Sequence, residues 1–315
     1  MPNKNSKKTN EIIENLSLAI LGKYDVIEKL LVGIFANGHI LFEDVPGVGK
    51  TTLVKGLAKA IGCEFQRVQC TPDLLPADIT GVSIYNQNTG EWDFQKGPIF
   101  TQVLLADEIN RTSPKTQSAL LESMEEKQVT VDGNTHQLDE PFFVLATQNP
   151  QEYEGTFPLP ESQLDRFTMK LTLGYPPPQD EKKILINFTH QEPLEFIEQK
   201  ISPAALKQLQ QDCEAIYIED TLLNYLTAIS QSTREHPQVE LGISPRGTLH
   251  MVKCAKALAF IRNRDYVLPD DIQELVMPVY SHRLVLNQAA YLERKGKKDI
   301  LEEIVSNVQV PGNAG

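Results

Sequence analysis

The 315-residue sequence is poor in cysteine, in positive charge and in long apolar runs. Its four cysteines, Cys63, Cys70, Cys213 and Cys254, are widely separated, and none forms a C-x-x-C pair. That spacing speaks against a disulfide framework or a cysteine zinc site, and the expectation is buried free thiols in a reducing compartment. The six histidines are equally scattered, so no transition-metal cluster is expected. No apolar stretch approaches the roughly 18–20 residues that a membrane-spanning helix needs. The N-terminus MPNKNSKKTNE is polar and basic with no apolar segment behind it, which predicts no secretory signal and a cytoplasmic location. With 30 Lys+Arg against 42 Asp+Glu the net charge is −12. Nucleic-acid affinity rests largely on basic side chains neutralising phosphates, so no nucleic-acid partner is expected. Internal repeats and low-complexity segments are also missing.

What is present is an alternation of short apolar runs with helical patterns. Residues 11–36 have helical apolar spacing, broken at Gly22-Lys23. HILFED follows as a short buried strand, and from Gly49 the spacing of Leu53, Leu57 and Ile61 is helical, with Gly62 placed to end the helix. Further strand-like runs occupy 64–69, 102–108, 142–148 and 169–173, with a helix between that starts at Ser113 as N-cap and Pro114. Such alternation predicts an α/β core with a central parallel sheet flanked by helices. Two hairpins interrupt it, at 81–97 around Asn88-Thr89-Gly90 and at 128–138 around Asp132-Gly133. The prolines of GYPPPQDE end the strand pattern. Helical stretches then follow at 179–190, 202–216, 220–235, 245–262 and 269–287. The expected domains are an α/β core, 1–174, and an all-helical domain, 175–315.

The chemistry concentrates at strand ends. The loop 44-DVPGVGKT-51 keeps Gly47, Gly49, Lys50 and Thr51 of the phosphate-loop pattern G-x-x-x-x-G-K-[ST], with Asp44 in place of the first glycine. Its glycines let backbone N–H groups curl around phosphates at a helix N-terminus. Pro46, Gly47, Val48, Gly49, Lys50, Thr51 and Thr52 are therefore expected to bind the phosphates of a nucleotide, with the Thr51 hydroxyl on Mg²⁺. Asp107 and Glu108 close an apolar strand 57 residues after Lys50. At a strand's carboxyl end they face the loop, Asp107 as a Mg²⁺ ligand and Glu108 polarising the attacking water. Asn149, after a third strand, is placed to hydrogen-bond that water or the γ-phosphate. Arg166 in LDRF and Arg246 in SPRG are suited to neutralising charge on a transferring phosphoryl group.

Taken in order, GVGKT, LLADEINR, ATQNP, EGTFPLPESQLDRF and SPRG resemble the MoxR family of AAA+ ATPases in the helix-2-insert clade, over roughly residues 20–285. The resemblance implies a P-loop AAA+ core and a C-terminal helical lid. The hairpins become the helix-2 and pre-sensor-1 inserts, which in related machines project toward a ring's pore or face. Asn149 then corresponds to sensor 1, Arg166 to an arginine finger supplied to a neighbouring subunit, and Arg246 to sensor 2 of the lid, transmitting phosphate loss as a change of core–lid angle. Gly22 would lie near the adenine, where Lys23 departs from the usual Gln. A hexameric ring, a client protein and a partner with a von Willebrand factor A domain are implied, with complex assembly or metal insertion as the role. The alternatives are a magnesium-chelatase-like motor subunit, a nucleic-acid-remodelling motor, and a switch that binds nucleotide without hydrolysing it.

Overall fold

A computed structural model describes residues 4–150, 155–189 and 191–312. Two helices, α1 (Lys4–Ser17) and α2 (Tyr24–Phe35), precede strand β1 (Ile40–Glu43) and α3 (Lys50–Ile61). Next come β2 (Phe65–Gln69), α4 (Pro76–Thr80) and the hairpin β3 (Gly81–Asn86)–β4 (Glu91–Lys96), then β5 (Val103–Asp107) and α5 (Pro114–Glu126). A second hairpin, β6 (Gln128–Val131)–β7 (Asn134–Gln137), leads to β8 (Phe143–Gln148), α6 (Glu161–Leu164) and β9 (Met169–Leu171). Beyond β9 the chain is mostly helical: α7 (Pro178–Phe188), α8 (Pro203–Glu214), α9 (Asp220–Glu235), α10 (Pro245–Ile261), α11 (Pro269–Tyr280), α12 (Gln288–Leu292) and α13 (Lys297–Asn307). Between them lie two short strands, β10 (Val239–Leu241) and β11 (Val285–Leu286).

The five-stranded sheet has the order β2-β5-β8-β1-β9, and every pairing is parallel. Its strands read as unbroken apolar runs because both faces are covered. Ile40, Phe42, Val103, Leu105, Phe143 and Leu145 join one buried cluster, whereas their neighbours Leu41, Leu104, Ala106, Val144 and Ala146 join another. The first face is covered by α1, α2 and α3. The second is covered by α5 through Leu120, Leu121 and Met124. Each large apolar side chain so buried contributes about 1.5–3 kcal/mol.

The first cluster does not stop at the sheet. It runs on through α8, α10 and α11, with Phe35 of α2 set edge-on to Phe260 of α10 at 6.2 Å. The expected boundary at 174/175 falls between β9 and α7, but the buried apolar interior is continuous across it. Two expectations change here. The helix expected over 269–287 ends at Tyr280, and Val285–Leu286 pairs antiparallel with Val239–Leu241. This ladder is too short to show a period of its own, so the last segment is not purely helical. Residues 297–307, for which no helix was expected, form α13 and bury Ile300, Leu301 and Ile304.

Local signals explain the element ends that matter for the site. The α3 C-cap is Gly62, in the left-handed conformation at φ 68°, as its position suggested. Ser113 accepts from the Thr116 N–H at the start of α5, and Ser244 accepts from the Gly247 N–H at the start of α10. In the second hairpin Asp132 and Gly133 both have positive φ, 50° and 79°, the turn that Asp-Gly favours.

Candidate functional site

The phosphate loop joins β1 to α3. Gly47 and Gly49 have φ of 82° and 95°, values that cost a side-chain-bearing residue strain. A Cβ added at either would meet nothing within 4 Å, so these glycines serve backbone direction and close ligand approach, not packing. Gly49 is the N-cap of α3, and no side chain caps that turn. The free N–H groups and positive dipole end of a 12-residue helix thus open onto the loop and fit a phosphate chain. Lys50 Nζ lies back on the loop, donating to the carbonyls of Asp44 at 2.9 Å and Val45 at 3.2 Å. Burial lowers its pKa, opposed by the charges of Asp44, Asp107 and Glu108. Thr51 and Thr52 are half-buried in the first turn, Pro46 is exposed, and Val48 packs against the core.

Asp44 stands where the pattern has its first glycine, and it is not among the described residues with positive φ. It is 6% exposed. Its Oδ1 accepts from the Val45 N–H at 2.9 Å and its Oδ2 from the Gly174 N–H at 2.7 Å. The same stretch after β9 receives Gly22 and Lys23. A Cβ on Gly22 would lie 2.4 Å from Asp180 Oδ2 and 3.1 Å from Pro177, and Lys23 Nζ donates to the Tyr175 carbonyl at 2.7 Å.

Beside the loop, the carboxyl ends of β1, β8 and β5 are adjacent, with β8 in the middle. Asn149, 8% exposed, follows β8 and so lies between the phosphate loop and the acidic pair. Asp107 accepts from Thr147 Oγ1 at 2.6 Å and from Arg67 Nη2 at 2.6 Å. Glu108 is left-handed at φ 60°, a conformation costing a non-glycine residue about 1–3 kcal/mol and often found where a side chain must be aimed. Thr147 Oγ1 accepts from the Glu108 N–H at 2.8 Å, so one buried hydroxyl braces both acids. The Glu108 carboxylate accepts from Gln69 at 2.7 Å and from Arg111 at 2.9 Å.

The two arginines are elsewhere. Arg166 and Arg246 line one cavity of about 360 Å³ with His39, Phe142, Thr168 and Lys253. His39, Phe142 and Thr168 immediately precede β1, β8 and β9, so this cavity is at the amino-terminal edge of the sheet. The phosphate loop is at the carboxyl edge, and even four-residue β1 puts roughly 13 Å between the two. Arg166 Nη1 donates to the Leu121 carbonyl at 2.6 Å, and its Nε is 3.6 Å from Glu125 Oε2. Arg246 Nη2 pairs with Glu125 Oε1. The fold therefore brings the arginines to each other and not to their own Lys50. An Arg246 acting on the nucleotide of its own subunit does not fit this placement, because the first turn of α10 packs at the wrong edge of the sheet.

The comparisons agree with this architecture. Residues 39–169 match the ATPase family associated with various cellular activities (AAA), and residues 231–304 match the AAA lid domain. A solved structure of a Cytophaga hutchinsonii protein assigned as an ATPase superposes with a TM-score of 0.90 at 40% identity, covering 97% of this chain and 96% of that one. The Bacillus subtilis protein YeaC is 51% identical over 299 residues, 95% of this chain and 93% of its own. Chaperone MoxR1 of Mycobacterium tuberculosis is 40% identical over 301 residues, 93% of this chain and 79% of its own. The chain belongs to the MoxR family of AAA+ ATPases. It is an ATP hydrolase, built as a parallel α/β core with a helical lid.

Sequence reasoning missed several residues that organise this MoxR-family site. Thr147 stands in the ATQNP stretch that pointed to Asn149, and its place two residues before the strand tip was the available signal. Arg67, Gln69 and Arg111 hold the acidic pair from other elements, and Glu125 joins the two arginines from the end of α5. Arg111 ends the LLADEINR stretch, three residues from Glu108, which was its available signal; the other three have no local pattern to betray them.

Proposed function

We propose that this chain is the subunit of an ATP-driven ring that remodels partner proteins, with each hydrolysis site completed by a neighbouring copy. The observation that carries this is the separation of Arg166 and Arg246 from Lys50, Asp107 and Glu108 across the sheet. A loop that binds phosphates and a pair of cations at the opposite edge complete each other when one subunit's amino-terminal edge meets the next one's carboxyl edge. Head-to-tail contacts of that kind close into rings, and a hexamer is the expected size.

Within the site, Lys50 and the free N–H groups of α3 hold the β- and γ-phosphates. Thr51 and Asp107 are the residues that would hold Mg²⁺, which when bound supplies charge neutralisation on the phosphate oxygens. Thr147 keeps Asp107 aimed, and Arg67 pairs with its other carboxylate oxygen. Glu108 takes the lytic water, Asn149 orients it from the adjacent strand end, and Gly22 lies at the adenine end. Arg166 and Arg246 of the neighbour neutralise the charge that develops on the transferring group.

A chaperone-like role is supported by MoxR1, which carries that name. The family resemblance extends it to complex assembly or metal insertion, with a von Willebrand factor A partner. The two hairpins are the surface for the client. Tyr85 and Trp92 on the first are exposed with ring centroids 5.5 Å apart, and Phe94 stacks on His136 of the second at 4.0 Å.

The test is the specific ATPase rate across a dilution series, for wild type and for Arg166→Ala and Arg246→Ala. The wild-type rate per subunit should fall as rings dissociate, and both variants should be slow at every concentration while still binding ATP. A wild-type rate that stays flat on dilution, with either variant fully active, rejects the shared site.

A further inference from the structure

Arg283 follows α11 and is 3% exposed. Its guanidinium enters the four-residue segment that carries Arg166. Nε donates to Asp165 Oδ1 at 2.8 Å, Nη2 to the carbonyls of Asp165 at 3.1 Å and Phe167 at 2.6 Å, and Nη1 to the Thr168 carbonyl at 3.3 Å. Nη1 also reaches the Val279 carbonyl, and Nη2 is 2.6 Å from His250 Nδ1. His250 is one turn beyond Arg246 on α10, so the same guanidinium holds the helix carrying the second arginine. Asp165 closes the link, because Ser244 Oγ, at the N-cap of α10, donates to its two carboxylate oxygens at 3.0 and 2.9 Å. Gly247, next to Arg246, leaves room for this arrangement: a Cβ there would lie 2.8 Å from Arg283 Cδ.

A buried guanidinium gives up its hydration, and an ion pair in that position stabilises a fold little better than packed apolar residues do. What it supplies is geometry. Its fork of fixed N–H groups locks a carboxylate and several carbonyls in one arrangement. Here the locked groups belong to the roots of two arginines that are 80 residues apart in sequence (166 and 246) yet must meet the same phosphate.

We propose that Arg283, with Asp165 and Ser244, is a positioning device for ATP hydrolysis that fixes Arg166 and Arg246 as one rigid pair presented to the neighbouring subunit's nucleotide. The inference rests on the shared-site reading above and adds to it a residue that touches neither nucleotide nor Mg²⁺.

The experiment measures steady-state ATPase of Arg283→Lys alone and mixed with Lys50→Ala, which has a disabled phosphate loop but intact arginines. Arg166→Ala mixed with Lys50→Ala is the control. Arg283→Lys should bind a fluorescent ATP analogue as wild type does and lose kcat on the order of 10²-fold, the penalty for a misplaced catalytic group. It should regain activity in the mixture, where Lys50→Ala subunits lend correctly placed arginines to its intact loops. Asp165→Asn, which keeps the acceptor shape and loses the charge, should behave alike and covers the case in which Arg283→Lys does not fold. If Arg166→Ala is rescued and the two positioning variants are folded but not rescued, the positioning role is overturned. Wild-type kcat in both variants overturns it as well. If Arg166→Ala itself is not rescued, the shared site fails and the proposal with it.

Discussion

Asp44 accepts the Gly174 N–H at 2.7 Å, so the residue that opens the phosphate loop also grips the stretch that leads from β9 into the helical lid. The departure from the phosphate-loop pattern is thus a replacement of conformational freedom by a tether. Restoring the pattern with Asp44→Gly should destabilise the protein by roughly 1–3 kcal/mol, because two N–H groups lose a buried charged acceptor. ATP affinity should change little, since the residues facing the phosphates are untouched. Urea unfolding and nucleotide titration check both points, and a gain in stability would contradict the tether.

Thr147 carries the second prediction. Thr147→Val keeps the shape of a side chain that is 1% exposed but removes the hydroxyl joining Asp107 to the Glu108 N–H. The kcat should drop by about ten- to a hundredfold as the acids lose alignment, with KM near wild type. Thr147→Ser should recover most of the rate. If Thr147→Val turns over normally, Asp107 and Glu108 do not need the brace.

Glu125 meets Arg166 and Arg246 before any neighbour does. The side chains are 40%, 29% and 41% exposed in that order, so each pair is worth no more than about 1 kcal/mol. If the site is shared as proposed, breaking them is nevertheless a cost of every encounter with a neighbour's phosphate. Glu125→Gln should therefore raise the ATPase rate a fewfold at protein concentrations that only partly assemble the ring. Slower turnover under those conditions would mean that Glu125 orients the arginines and does not merely occupy them.

His39 sets a pH dependence. Its Nδ1 accepts from the Val144 N–H at 2.9 Å and its Nε2 faces the Met124 carbonyl at 3.1 Å, so the ring is neutral. Burial lowers its pKa from 6.5 to about 4, and the charge of Lys127 acts in the same direction. Between those values the unfolded chain takes up a proton that the folded chain refuses. This group therefore stabilises fully above pH 6.5 and loses up to about 1.4 kcal/mol per pH unit as pH falls toward 4. Buried His282 and half-buried His250 have lowered values too and act in the same sense. His39→Gln should lose less stability than wild type between pH 7 and 5 in urea titrations. Equal losses would assign the effect to the other two.

The sheet was legible because both of its faces are buried, which turns β5 and β8 into unbroken apolar runs too short for a helix and bounded by polar turns. The hairpins were legible because Asp132-Gly133 and Asn88-Thr89-Gly90 mark their turns locally. Arg283 was not, since its partners Asp165 and His250 lie 118 and 33 residues away and a lone arginine has no pattern. The same holds for Thr147, 40 residues from Asp107. Nor does the SPRG motif say which edge of the sheet Arg246 reaches, because motif order along the chain says nothing about which edge a later helix packs against.

The continuous buried cluster joining α2, α8 and α10 to the sheet has a mechanical consequence. A lid fastened to its own core through Phe35, Phe260 and the Asp44 tether is a poor hinge, because swinging it would open an apolar interior to water. If both arginines engage across the subunit boundary, as proposed above, loss of a γ-phosphate would release one polypeptide's grip on the next. The working stroke would then belong to the seam between polypeptides, with each chain moving as a nearly rigid block, much as links move in a chain while keeping their own shape.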